Sequence, residues 1–404
     1  MKRHWMALAA GVCALAVAPS TALAGEQGSG GQQVEQTQTA ANENSTEQSA
    51  SSEASSQQAN VNVPIAVNSP YSNNGDVNQS NEAENSAYSA NHNSTEQENR
   101  QNQGGAATGV TSNDGGSSGS GNGDQQVEQS QSGSNSNSTS QSAESEAESE
   151  QTNVNVPVAV NSPGSNNGDV NQSNGAENNA SSKNYNETEQ HNWQNQGAAA
   201  TGVSVSGGGD DPGCGYKGAD GNGGQQVDQS QSASNSNSTS QSAESEAESE
   251  QANVNVPIAV NSPYSNNGDV NQSNNAENNA RSANYNDTDQ GNGQNQGAAA
   301  TGVSVGGDKG RWGGKDVSDG NGGQQVDQSQ SASNSNSTSQ SAESEAESEQ
   351  ENVNVPIAVN SPCSNNGDVD QSNDAENNAY SANHNDTDQD NWQNQGGAAT
   401  AKTI

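Results

Sequence analysis

Beyond Ala24 the chain contains no leucine, methionine or phenylalanine; Leu8, Leu15, Leu23, Met1 and Met6 all precede that point. The large apolar side chains left in the following 380 residues are 27 Val, 4 Ile, 7 Tyr and 3 Trp. Ordering one residue's backbone costs about 1–2 kcal/mol, and burying one large apolar side chain returns about 1.5–3 kcal/mol. So few apolar groups cannot support a three-dimensional hydrophobic core. Two states remain: a solvated chain, or a thin β assembly whose interior needs only small residues and stacked amides. An ordinary globular enzyme is excluded.

Internal repetition dominates the rest. Gln-Gln-Val recurs at Gln32, Gln125, Gln225 and Gln324, and the Pro of Val-Asn-Val-Pro at Pro64, Pro157, Pro257 and Pro356. The closing Gln-Asn-Gln ends at Gln103, Gln196, Gln296 and Gln395. Length changes between copies fall only in Gly-rich spacers, which points to a registered structure. The boundaries follow: a leader 1–24, a linker 25–31, repeats 32–108, 125–201, 225–301 and 324–400, spacers 109–124, 202–224 and 302–323, and a tail 401–404. A weaker half-repeat lies 43 residues on, Val227-Asp-Gln-Ser being echoed by Val270-Asn-Gln-Ser. That offset suggests a physical unit of half a copy, fitting two coils or a hairpin pair.

Within each copy the period is two. From Gln226 to Val260 the even positions run through seven serines, then Glu244, Glu246, Glu248 and Glu250, then Ala252, Val254, Val256, Ile258 and Val260. Odd positions hold mainly Gln, Asn, Ala, Thr and Ser. Alternation places the two sets on opposite faces of a strand. The branched rows Val61, Val63, Ile65 and Val67; Val154, Val156, Val158 and Val160; Val254, Val256, Ile258 and Val260; and Val353, Val355, Ile357 and Val359 are the best strand and self-association candidates. Pro257 has no N–H for a ladder and marks an edge or bend. Stacked in register, the Glu rows oppose like charges and so limit assembly, an effect that acid or divalent cations relax. The first copy keeps only Glu53 of that row.

The expected fold is therefore a low-complexity repeat protein, largely disordered or thin β of β-solenoid or cross-β type. It has short Val-rich strands and no globular core.

Lys2, Arg3 and His4, an apolar run from Trp5 to Ala18 and Ala22-Leu23-Ala24 form the layout of a secretory signal cut after Ala24. The expected location is secreted or at the cell surface, with no membrane span after cleavage. A formal net charge of −39 disfavours nucleic acid and anionic lipid as partners. Cys214 and Cys363 remain after cleavage and are a possible disulfide.

Val353-Asn354-Val355-Pro356-Ile357-Ala358-Val359, followed by Cys363, resembles the Val-x-Val-Pro strand of chaplins, secreted surface-fibre proteins of actinobacteria. The Gln/Asn/Ser-rich remainder is similar to rodlins, and the Val-Asn-Gln order at Val270 is curlin-like. The resemblance implies a surface fibre or coat component whose partners are itself or other surface proteins.

No catalytic constellation is visible. His92 and His384 exchange with Tyr185 and Tyr285 in the aligned copies, and His191 exchanges with Glu98, Gly291 and Asp390. No cofactor is expected, calcium being the one metal to weigh. Asn-Asn-Gly-Asp supplies Asp76, Asp169, Asp269 and Asp368, with Asp370 and Asp374 added in the last copy. The same motif is equally a turn signature. The expected function is a secreted structural or matrix protein that self-associates through its Val-rich segments and is limited by its Glu rows. The alternatives are a permanently disordered acidic coat or spacer and a module binding calcium, glycan or ice.

Overall fold

The computed structural model describes residues 12–16, 31–113, 124–206, 224–306 and 323–403. Most of the leader and most of each Gly-rich spacer lie outside them. Each copy forms one very flat coil. One long side is a 31-residue strand: β2 (Gln32–Asn62), β5 (Gln125–Asn155), β8 (Gln225–Asn255) and β11 (Gln324–Asn354). A three-residue strand turns the corner: β3 (Ile65–Val67), β6 (Val158–Val160), β9 (Ile258–Val260) and β12 (Ile357–Val359). The other long side is β4 (Val77–Asn113), β7 (Val170–Ser206), β10 (Val270–Gly306) and β13 (Val369–Thr403). Equivalent strands of successive copies pair in parallel and without slippage, Gln225 on Gln125 through Asn255 on Asn155. Three parallel stacks result, the two long ones packed face to face. The remaining strand, β1 (Val12–Ala16), runs antiparallel along Thr39–Glu43 at the outer edge of β2.

The break between long strand and corner falls at proline, as expected. The ladder continues through it because the Pro157 carbonyl still accepts the N–H of Ile258 at 2.8 Å. Beyond the corner, Gly168, Gly268 and Gly367 adopt φ of 70–73°, the left-handed region that costs glycine nothing. Asn68, Asn161, Asn261 and Asn360 take φ of 50–53° on the same bend, where Asn is the next best tolerated residue.

The 43-residue offset carries one long side onto the other. Gln229 donates to the Gly297 carbonyl of the facing side, and its half-repeat equivalent Gln272 donates to the Val353 carbonyl. The physical coil is thus a whole copy, and the half-repeat is its internal approximate dyad rather than a separate unit.

The expectation of a largely disordered, coreless chain with short Val-rich strands is overturned. The strands are 31 and 35–37 residues long, and they enclose a continuous interior. In the two inner coils that interior is the odd-position face of β5 and β8, including Gln131, Asn135, Asn137, Gln141, Asn153 and Asn155, all 2% exposed or less. Apolar patches in it are small: Val127 and Val227 pack with Ala107, Ala200 and Ala300, and Ala147 and Ala247 with Ala87, Ala180 and Ala280. The physical reason is stoichiometric stacking. An amide directly above an identical amide satisfies a donor and an acceptor within the column, so the buried amides of the inner coils find partners without an oily core. Scarcity of apolar residues excluded an oily core; it did not exclude a hydrogen-bonded one.

Candidate self-association interface

The interior Asn and Gln columns are side-chain hydrogen-bond chains running through the stack. Asn44, Asn137, Asn237 and Asn336 are joined by three bonds of 2.8 Å each. Gln36, Gln129, Gln229 and Gln328 are joined by three of 2.9 Å each. The amides also bond across the interior: Gln131 donates both to Gln38 and to the Asn195 carbonyl. Facing carbonyls hold the side-chain planes in place, and the columns pin the register of all four coils.

These columns stop at copy 1 and copy 4. The outer edge of β11 and those of β4 and β13 carry no further strand among the described residues, and β2 is paired on its outer side only over Thr39–Glu43. Unpaired edges of this length are templates for another chain.

The sixteen branched candidates point outward and form one array of four columns by four coils. At the ends all but Val353 are open to solvent, Val61 at 67% and Ile65 at 64%, whereas the inner coils are half-covered by their neighbours. They line the outer face beside the corner rather than the interior.

The same outer face carries the Glu rows, stacked as the sequence suggested: Glu144 on Glu244 on Glu343, and likewise for the next three columns. Burial between neighbouring rows, followed by the charges of Glu146, Glu248 and Glu345, raises the Glu246 carboxyl above its ordinary range. Glu248 is raised in the same way, burial first, then Glu148 and Glu347. On the opposite outer face Glu187, Asp287 and Asp386 lie beside Glu189, Asp289 and Asp388 along a shallow groove. Next to it His92, Tyr185, Tyr285 and His384 stack ring on ring at 4.8–4.9 Å.

The calcium candidates Asp76, Asp169, Asp269 and Asp368 form a column at the bend. Each carboxylate accepts the backbone N–H of the next, Asp169 to Asp76 at 3.1 Å and Asp368 to Asp269 at 2.9 Å. Their geometry is that of a structural ladder in a turn. Asp370 and Asp374 lie apart from it on exposed positions of β13. Among the described residues no cluster of three or more His, Cys, Asp or Glu is arranged to hold a metal ion. Cys363 is an exposed free thiol on the bend at φ 60°, and Cys214 lies outside the described residues. No described helix is long and apolar enough to cross a membrane.

The sequence allowed stacked amides inside a thin β assembly but did not single out the odd-position amides, which form the interior. A signal was present: the amide type is constant in all four copies at Gln36/129/229/328 and at Asn44/137/237/336.

Neither a protein-family model nor a curated protein nor a solved structure matches this chain.

Proposed function

We propose that the protein is an exported structural subunit that polymerises end to end, further copies continuing its stack of coils into a cell-surface or matrix fibre. The observation that carries this reading is the pair of open end coils, where every amide column halts in mid-ladder. A second molecule in register satisfies those groups with contacts that already exist three times over inside each chain. Export follows from the leader read in the sequence, and the acidic outer faces keep such a fibre hydrated and apart from its neighbours. The role is mechanical rather than catalytic.

The test compares the chain begun at Gly25 at rising concentration by sedimentation and electron microscopy. Filaments one coil wide, with strands across the axis and the strand-spacing reflection along it, support the reading. A chain that stays monomeric at every concentration, at neutral and at acid pH, overturns it.

A further inference from the structure

The amide columns have direction, and the two kinds run opposite ways. Interior Asn donors point from copy 1 toward copy 4, as in Asn44 to Asn137 and Asn237 to Asn336; columns begun by Asn60, Asn81 and Asn91 do the same, whereas outward Asn columns such as Asn195 to Asn102 run with the Gln. Interior Gln donors point from copy 4 toward copy 1, as in Gln328 to Gln229 and Gln129 to Gln36; columns ending on Gln38, Gln48 and Gln79 agree. The two ends of the stack are therefore chemically different. Copy 1 offers Asn oxygens and Gln N–H groups, and copy 4 offers Asn N–H groups and Gln oxygens. Set copy 4 on copy 1 of a second molecule and each column runs on, Asn336 donating to Asn44 and Gln36 to Gln328. The turn ladder continues as well, Asp76 N–H reaching Asp368. Like ends, brought together by a two-fold axis with strands or faces reversed, lose the register these columns need.

Copy 1 also departs from the others where the acidic rows would clash. It carries Ser51, Ser55 and Gln57 in three of the four Glu columns, and its own Glu43 and Glu47 stand where the other copies have Ser. Inside the molecule Gln57 already donates to Glu150 at 2.6 Å. At a copy 4–copy 1 joint, Gln57 meets Glu349 in the same way, Ser51 and Ser55 meet Glu343 and Glu347, and only Glu53 still faces a carboxylate, Glu345. Elsewhere the joint retains acidic pairs: Asp327 with Glu35, Asp374 with Glu82, Glu376 with Glu84, Asp388 with Glu96 and Asp390 with Glu98. Beside them Arg100 meets the Trp392 ring, and His92 continues the aromatic stack onto His384.

We propose that copy 1 is a receiving surface specialised for copy 4 of another molecule of this chain, so that the filament is polar and head-to-tail. This rests on the end-to-end reading above and adds the partner surface and its direction. Val12–Ala16 lies on Thr39–Glu43 of the receiving edge, so docking follows departure of that strand. Among the described residues β1 touches only β2, and the coils from Gln32 onward keep their other contacts without it.

Paired cysteines test the joint. Ser49→Cys and Ser341→Cys are placed together in the chain begun at Gly25, with Cys214 and Cys363 changed to Ser. Both are exposed serines in one outward column, three coils apart in a single molecule. A disulfide needs Cα atoms about 4.4–6.8 Å apart, so a 49–341 bridge forms only between molecules. Oxidised filaments are expected to run as a covalent ladder of dimers, trimers and longer species, while neither single variant cross-links. The pair Ser45→Cys with Ser337→Cys repeats the test two periods of the alternation away, and an unchanged melting temperature checks the coils. Dimers from a single variant show like ends meeting and overturn the joint. Filaments without a bridge in either pair overturn it too and point to lateral contact through the branched array; both results leave self-assembly standing. No assembly by the chain begun at Gly25 without any substitution overturns the functional reading and the joint together.

Discussion

A Cβ placed on Gly268 would lie 1.9 Å from the carbonyl oxygen of Gly168 in the coil beneath it. Gly268 also holds φ at +72°, so an alanine there meets both backbone strain and a backbone clash. Gly268→Ala is expected to destabilise the stack by about 3 kcal/mol, read as a drop in melting temperature. Gly297→Ala, where nothing lies within 4 Å of the added carbon, is the matched control and leaves the melt nearly unchanged.

The interior amides are the next target. Asn253 accepts from Asn153 and donates to Asn352, both at 3.1 Å, and bonds across to Asn274 at 2.8 Å. Asn253→Ala takes an acceptor from Asn153 below and a donor from Asn352 above, a loss of about 1–3 kcal/mol. The outward Ser240→Ala is expected to change stability by no more than about 0.5 kcal/mol. Denaturant melts that rank the two the other way would remove the hydrogen-bonded interior.

Acid should tighten the stack. The Glu246 and Glu248 carboxyls are raised in the folded chain, so the folded state holds protons that the unfolded state has released. Stability is then greatest below the ordinary Glu range, near 4.5, and is lost as pH rises through the elevated values. The melting temperature is expected to climb as pH falls from 7 toward 5. Glu246→Gln with Glu248→Gln should flatten that slope and raise the melt at pH 7, each opposed pair removed being worth about 0.2–1 kcal/mol.

The leader strand makes a separate prediction. With Val12–Ala16 covering Thr39–Glu43, the full chain should scatter no light at concentrations where the chain begun at Gly25 forms filaments. Equal assembly by both would show that the strand does not guard the edge.

The alternation, the four copies and the break at Pro257 were legible in the sequence because each is a local property of the chain. Which face turns inward was not, since hydrophobicity favours the row ending in Val254, Val256, Ile258 and Val260. That row also contains Glu244 to Glu250, and one strand face cannot bury its valines while exposing glutamates further along. The uncharged row therefore goes in, and its amides succeed there only because identical neighbours lie above and below. The disordered alternative failed for the same reason: single-chain composition does not register that position 141 will sit on position 241. The half-repeat was visible too, but its meaning depends on the facing of Gln229 with Gly297 and of Gln272 with Val353, a tertiary fact.

Because each coil is a complete genetic copy that touches only the coils next to it, recombination between near-identical copies would add or delete whole storeys of the building. A descendant with five or three copies keeps the same floor plan, the same ceiling and the same footing, and differs in height alone by one strand spacing per copy. Inheritance then measures this molecule's thickness in integers.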